Sequence, residues 1–280
     1  MRVAVSGASG FVGRHVLVEL QSRDIVATAI LRPGSAVVSS LARHSVAHVD
    51  VHDSPSNAFE LIGSPDVLIH LAWEGLPNYK ALRHFEQELP AQYRFLKGLL
   101  ASGLKNLVVA GTCFEYGMQS GPLHEDMQAR PANAYGFAKD ALRRQLEFLK
   151  QAQPFALTWA RLFYLYGDGQ AANSLLPQIQ RAVERGDSTV DMSGGEQLRD
   201  YLAVTEVARC LVSLAMGSRD NGIVNVASGE PISVRRLVEW WAAEHGWSIK
   251  FNLGCLPYPD YEPMAFWGER QKLDRCLELK

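Results

Sequence analysis

Arg2-Val-Ala-Val-Ser-Gly7-Ala-Ser-Gly10-Phe-Val-Gly13, followed at once by Arg14-His-Val-Leu-Val-Glu-Leu20, is the stretch whose reading decides the fold. Val3 to Val5 read as a short buried strand, and Phe11, Val12, Val16, Leu17 and Leu20 recur at helical spacing. A helix that starts directly after a strand aims its unpaired N–H groups and positive dipole end at the turn, where a pyrophosphate can sit. Gly7 allows the sharp turn, Gly10 lets backbone approach phosphate, and Gly13 lets the helix pack closely on the strand. The spacing is Gly-x-x-Gly-x-x-Gly rather than Gly-x-Gly-x-x-Gly. Placed after an apolar strand and before an amphipathic helix, it points to a bound dinucleotide, the alternative being an ordinary strand-to-helix turn.

The 280 residues suffice for one large domain or for one domain with a smaller lobe. Twenty-eight basic and 30 acidic residues are mixed along the chain, so nothing resembles a polybasic footprint for nucleic acid or anionic membrane. The expected ligand is therefore small. Only a few apolar residues precede the glycines and no apolar run is long enough to span a bilayer, so the reading is a cytoplasmic protein. Cys113, Cys210, Cys255 and Cys276 are scattered without a Cys-x-x-Cys pair, which predicts reduced, mostly buried thiols and no metal. His44, His48 and His52 read as surface and edge histidines.

Farther along, strands are predicted at Ile25–Leu31, Ala47–Val51, Val67–Leu71 and Asn106–Gly111, with helices at Ser54–Ile62 and Pro90–Ala101. Near-continuous apolar strands separated by helices indicate an α/β, doubly wound parallel sheet covered on both faces. The second strand ends at Arg32-Pro33-Gly34. In dinucleotide folds an acid at this point accepts from the adenosine ribose, whereas an arginine attracts a 2′-phosphate. Arg32 thus favours NADP(H), with NAD(H) and a merely solvated arginine as the alternatives. His70 reads as a buried, hydrogen-bonded strand residue.

The last part of the stretch Pro131-Ala-Asn-Ala-Tyr135-Gly-Phe-Ala-Lys139-Asp-Ala-Leu-Arg-Arg-Gln-Leu-Glu-Phe-Leu149 is a strong helix pattern, with Tyr135 and Lys139 at i and i+4 on one face. An ammonium beside a phenol stabilises the phenolate and lowers its pKa, so the pair suits proton transfer. Thr112, at the preceding strand end, supplies a hydroxyl for the same carbonyl or alcohol oxygen. Catalysis by Thr112, Tyr135 and Lys139 is weighed against a chance surface pair, and the placement of the three favours catalysis.

Together these residues resemble the extended short-chain dehydrogenase/reductase family, the nucleotide-sugar epimerases, dehydratases and reductases, over nearly the whole chain. The resemblance implies a Rossmann-like domain at 1–161 that also receives about 201–225. A smaller nucleotide-sugar-binding lobe is then formed by 162–200 and 226–280. It assigns Gly7, Ser9, Gly10, Phe11, Val12, Gly13, Arg32, Asp50, Val51, Leu71, Ala72, Tyr135, Lys139 and Tyr164 to the cofactor. Substrate falls to Trp73, to Asn173-Ser174-Leu175, and to Arg199 of Gly194-Gly-Glu-Gln-Leu-Arg199-Asp200-Tyr201, whose arginine binds a sugar nucleotide's diphosphate in the family. Bidentate recognition of phosphate suits a guanidinium. A salt bridge of Arg199 to Asp200 or Glu196 is the alternative, and Asp200 is expected to cap the helix Thr205–Met216.

Departures from the family pattern narrow the chemistry. Cys113 and Phe114 stand where sugar 4,6-dehydratases carry Asp-Glu, which argues against dehydration. Glu115, one residue on, is expected to point the other way by strand alternation. Trp73 and Tyr164 replace residues usual in the family and imply a reshaped sugar pocket. The expected activity is NADPH-dependent reduction of the 4-keto group of a nucleoside-diphospho-4-keto-6-deoxyhexose. A 4-epimerase holding NAD tightly and a non-catalytic dinucleotide sensor are the alternatives. The family's homodimers, built on two helices per subunit, place the contact at 90–101 and 135–149. In the C-terminal part, Gly222–Val226 reads as a strand and Ser233 as the cap of a helix carrying Trp240 and Trp241, only one of which can face the core.

Overall fold

The computed structural model describes residues 1–35 and 41–278. Its first half runs β1 (Val3–Ser6), α1 (Phe11–Ser22), β2 (Ala27–Leu31), β3 (Ser45–His48), α2 (Ala58–Leu61), β4 (Val67–His70), α3 (Leu89–Ala101), β5 (Asn106–Thr112), β6 (Gly121–Leu123) and α4 (Ala134–Ala152). The second half runs β7 (Ala156–Leu162), β8 (Tyr164–Tyr166), α5 (Leu175–Glu184), β9 (Thr189–Asp191), β10 (Leu198–Ala203), α6 (Val204–Gly217), β11 (Gly222–Val226), β12 (Pro231–Ser233), α7 (Val234–Glu244), β13 (Lys250–Asn252), β14 (Phe266–Gly268) and α8 (Gln271–Glu278).

Among the described residues, seven strands form one parallel sheet in the order β11-β7-β5-β4-β1-β2-β3. Val3 pairs with Ala27 on one side and with Val67 on the other, so β1 lies at the point where the strand order reverses. All four residues of β1 and of β4 are buried, as expected of strands covered on both faces. One apolar layer joins Val16, Leu17 and Leu20 of α1 to Val207, Leu211 and Ala215 of α6. The opposite layer joins Phe95 and Leu99 of α3 to Leu142 and Leu146 of α4. This is the doubly wound α/β architecture, and its reversal point opens a crevice at the C-terminal ends of β1 and β4.

Smaller sheets join β12-β10-β8, β13-β9 and β14-β6. Ser233 caps α7 by accepting from Arg236 N at 3.2 Å. Trp241 is 1% exposed and Trp240 45%, so only the former is core.

Three local expectations are corrected. The predicted helix Ser54–Ile62 is a single turn, Ala58–Leu61, because Pro55 begins a turn in which Ala58 N bonds Pro55 O. The third strand ends at His48, before Asp50 turns the chain by accepting from His52 N at 2.9 Å. Cys113 and Cys210 are buried, but Cys255 is exposed.

Candidate active site

Gly7 leaves β1 with φ +67°, and a Cβ there would lie 2.8 Å from Ala72 N. A Cβ on Gly13 would lie 2.2 Å from Gly7 O, so α1 sits where only a bare backbone fits. The helix begins at Phe11 with no side-chain cap at Gly10 and no acid in its first turn. Its unbonded N–H groups and dipole therefore face the crevice and suit an anion. Ser6 Oγ accepts from Leu71 N at 3.2 Å and bonds His70 Nδ1 at 2.7 Å, which lays Leu71 and Ala72 across from the glycine loop. Gly7, Ser9, Gly10, Phe11, Val12 and Gly13 with Leu71 and Ala72 thus make a cradle whose chemistry fits a dinucleotide pyrophosphate.

His70 is buried as expected. Burial, with the Lys139 charge second, holds its pKa down at about 3, while Gln92 Oε1 bonds its other nitrogen at 2.7 Å. Gln92 in turn donates to buried Glu88 at 3.2 Å, and His52 Nε2 meets Glu88 Oε1 at 2.8 Å. His44 is likewise structural, taking Ala27 N at 3.1 Å and bonding Leu17 O at 3.0 Å. His44 and His52, expected as surface and edge histidines, are half-buried and bonded to other elements.

Arg32 departs from its expected role. Instead of a free cation at the end of β2, it is ion-paired to Glu74 at 2.5 Å, and Glu74 also holds Arg83 at 3.3 Å. His52, Glu74 and Glu88 bring ligand atoms within 4.8 Å of one another, but Arg83 reaches both carboxylates and competes with any metal. Asp50 and Val51 lie beside this cluster, at the exit of β3.

The three expected catalytic residues come together. Thr112 ends β5, and its side chain faces Tyr135 in the first turn of α4, close enough to oppose the rise in the phenol's pKa. Asn133 caps α4 by accepting from Gly136 N at 2.8 Å, and a Cβ on Gly136 would lie 2.5 Å from Phe114 O. That close approach presses Tyr135 onto the end of β5. Lys139 is 2% exposed; its Nζ donates to Ala110 O at 2.9 Å and lies 4.0 Å over the Trp73 ring.

The expected lowering of the Tyr135 pKa by Lys139 is not what the surroundings produce. Burial pushes the phenol well above its ordinary value, with Tyr79, Glu115 and Cys113 adding to the rise and the Thr112 hydrogen bond opposing it. Burial also pulls Lys139 down to about 7, against the attraction of Glu115 and Glu88. Desolvation outweighs the phenol–ammonium attraction because Nζ is 5.9 Å from the Tyr135 ring centre and bonded elsewhere.

Glu115 is placed by a turn and not by the strand alternation that the sequence suggests. Residues Cys113–Tyr116 form a 3₁₀ turn, not a strand extension, and Glu115 faces inward with 0% exposure. It accepts from Thr112 N at 2.9 Å and Trp159 Nε1 at 2.8 Å, and is ion-paired to Arg161 Nε at 2.7 Å. The signal was in the chain, since Thr112-Cys-Phe-Glu115 has capping-box spacing.

Around Tyr135 stand Trp73 at 5.9 Å, Tyr79 at 5.7 Å, His84 at 5.3 Å and Phe114 at 6.4 Å between ring centres. The aromatic wall continues through Tyr261 and Tyr164 to buried Arg199. Arg199 is paired with neither Asp200 nor Glu196; Glu262 lies 3.2 Å from its Nη2. Tyr164 donates its hydroxyl to the other oxygen of Glu262, so it forms part of the pocket wall. Asp200 does not cap a helix. It accepts from Ser228 N at 2.7 Å and Gly229 N at 2.9 Å, and Ala203 occupies the cap of α6. Asn173, Ser174 and Leu175 open α5, and Leu175 packs in the apolar cluster around Trp241. Glu74, Tyr79, His84 and Glu262 had no signal in the chain, because each owes its place to a contact between distant segments.

Known proteins match this arrangement. Residues 3–227 fit the description "NAD dependent epimerase/dehydratase family". The dTDP-6-deoxy-L-talose 4-dehydrogenase (NAD(+)) of Aggregatibacter actinomycetemcomitans is 31% identical over 272 residues, covering 96% of this chain and 100% of that protein. The UDP-glucose 4-epimerase of Corynebacterium glutamicum is 26% identical over 273 residues, 85% of this chain and 79% of that one. The structure of MoeE5 in complex with UDP-glucuronic acid and NAD superposes with a TM-score of 0.83 at 26% identity, covering 99% of this chain and 93% of that one. Among the described residues no helix is long and apolar enough to cross a membrane. The glycine cradle at the sheet's reversal point, the hydroxyl pair above a buried lysine and a match over more than half the chain have one explanation: this chain belongs to the NAD-dependent epimerase/dehydratase family.

Proposed function

We propose that this protein is an NAD-linked oxidoreductase acting at carbon 4 of a nucleoside-diphospho-6-deoxyhexose, interconverting its 4-hydroxyl and 4-keto groups. The observation that carries the reading is the gathering of Thr112, Tyr135 and buried Lys139 against Trp73, the residue after the Ala72 that abuts the glycine cradle. The NAD-linked 4-dehydrogenase relative supports both reaction and cofactor. NAD replaces the NADP first inferred from Arg32, because Glu74 already neutralises that guanidinium.

When bound, the dinucleotide supplies the acceptor or donor of hydride. The chain's own groups handle the oxygen at carbon 4. Tyr135 takes the hydroxyl proton as the carbonyl forms and returns it in the reverse direction, while Thr112 hydrogen-bonds the same oxygen. Being a protonated phenol in the neutral range, Tyr135 is suited to the donating, keto-reducing direction. The ring of Trp73, Tyr79 and Phe114 keeps water from the reacting carbon. Arg199 meets the substrate diphosphate in competition with Glu262 for Nη2.

The test is NAD(H) turnover with a panel of thymidine, GDP and UDP 6-deoxyhexoses and their 4-keto forms, with NMR of the sugar. One sugar is expected to be oxidised or reduced with stoichiometric change in cofactor, and Arg199→Met is expected to raise its KM roughly tenfold without weakening NADH binding. A 4-epimerase is the second reading, favoured by the relative from Corynebacterium glutamicum. An inverted carbon 4 with no net cofactor change would establish it and sink the dehydrogenase. Self-association is proposed through α3 and α4, where Phe137 and Phe148 are 51% and 71% exposed. Sedimentation is expected at the dimer mass, and a monomer at micromolar concentration would rule this out.

A further inference from the structure

We propose that Glu74 selects the dinucleotide, accepting the adenosine ribose hydroxyl and rejecting a 2′-phosphate from the loop after β4 rather than from the end of β2. The inference rests on the dinucleotide reading above. Arg32 leaves β2 with its side chain 65% exposed, yet Nη1 is held by Glu74 Oε1 at 2.5 Å. Glu74 is itself fixed in place: Oε2 meets Arg83 Nη2 at 3.3 Å, and its backbone N–H donates to buried Glu88 at 3.1 Å. The same Arg83 nitrogen reaches Glu88 at 3.4 Å, and His52 bridges Glu88 and Asp50.

Counting His52 as neutral, this group holds two guanidiniums and three carboxylates, a net charge of −1. A 2′-phosphate would add negative charge to it, and Arg32 would serve that phosphate only by abandoning Glu74. A ribose hydroxyl meets the opposite situation. Each oxygen of Glu74 has a lone pair beyond the one its arginine occupies, and a hydroxyl can donate to it without breaking either pair. One carboxylate thus supplies the attraction and the repulsion that an acid at the end of β2 supplies in other dinucleotide folds.

Titration calorimetry of the whole protein with NADH and with NADPH tests this without any sugar. The wild-type chain is expected to bind NADH more tightly. Glu74→Gln should release Arg32 and move the NADPH-to-NADH affinity ratio by about tenfold toward NADPH, and the share of that gain due to Arg32 should be lost in Glu74→Gln combined with Arg32→Ala. Glu74→Asp, which keeps the charge, should stay near the wild-type preference. In the otherwise unaltered chain, Arg32→Ala should leave NADPH affinity within about twofold, since Glu74 already holds the guanidinium. An unchanged ratio in Glu74→Gln, a gain undiminished by loss of Arg32, or a tenfold loss of NADPH affinity in Arg32→Ala alone would each overturn the inference. If the wild-type chain bound neither dinucleotide, the dinucleotide reading would fall first and the inference with it.

Discussion

Tyr135→Phe is expected to lower kcat by roughly 10³-fold while leaving NADH affinity within about twofold. The substitution keeps the ring that packs against Trp73, Tyr79, His84 and Phe114, and removes only the hydroxyl that meets Thr112. Thr112 can still hydrogen-bond the sugar oxygen, and Lys139 can still be charged, so binding survives. The proton, however, has nowhere to go, because Lys139 Nζ is turned to Ala110 O. Steady-state kinetics on the sugar identified by the panel, together with NADH titration, make the measurement. Full activity in the variant would remove Tyr135 from the mechanism. Loss of turnover with cofactor binding retained would also exclude the pure sensor, which has no use for the hydroxyl.

Glu115→Ala carries the largest expected effect on stability, a loss of about 3–5 kcal/mol. Arg161 is 1% exposed, and removing its carboxylate leaves a buried guanidinium without the charge that balances it. Trp159 Nε1 and Thr112 N lose their acceptor in the same step. Denaturant unfolding should show a lower midpoint with little change in slope, since the surface exposed on unfolding is nearly the same. Any variant that remains folded should also turn over more slowly, because Thr112 is oriented by the Glu115 carboxylate. A change below about 1 kcal/mol would show that the buried pair is not what fixes the end of β5.

The residues that proved readable in sequence share a property: their partners are near neighbours in the chain or repeat at a regular period. Tyr135 and Lys139 are one helical turn apart, and the glycine loop spans a single strand-to-helix turn. His70, in a strand buried on both faces, was likewise legible from the apolar run around it. The misread residues have distant partners. Arg32 and Glu74 are 42 positions apart, and Tyr164 and Glu262 are 98 apart. Glu115 is the exception, since its capping box is written in four consecutive residues that turn the chain where the strand pattern would continue.

By itself, the sequence determined the alternation of buried strands and amphipathic helices, the glycine cradle at its start and the face of α4 that carries Tyr135 and Lys139. Backbone sterics and hydrophobic periodicity act over a few residues and need no knowledge of the rest of the chain. Only the tertiary structure decided whether each charge was free or already matched. Arg32 bound to Glu74, Arg199 to Glu262 and Arg161 to Glu115 lost the independence their residue types implied. Burial likewise moved Tyr135 and Lys139 away from their ordinary titration ranges, in opposite directions. Coulombic attraction and desolvation depend on distance and solvent exposure, and both are set by which remote segments the fold brings together.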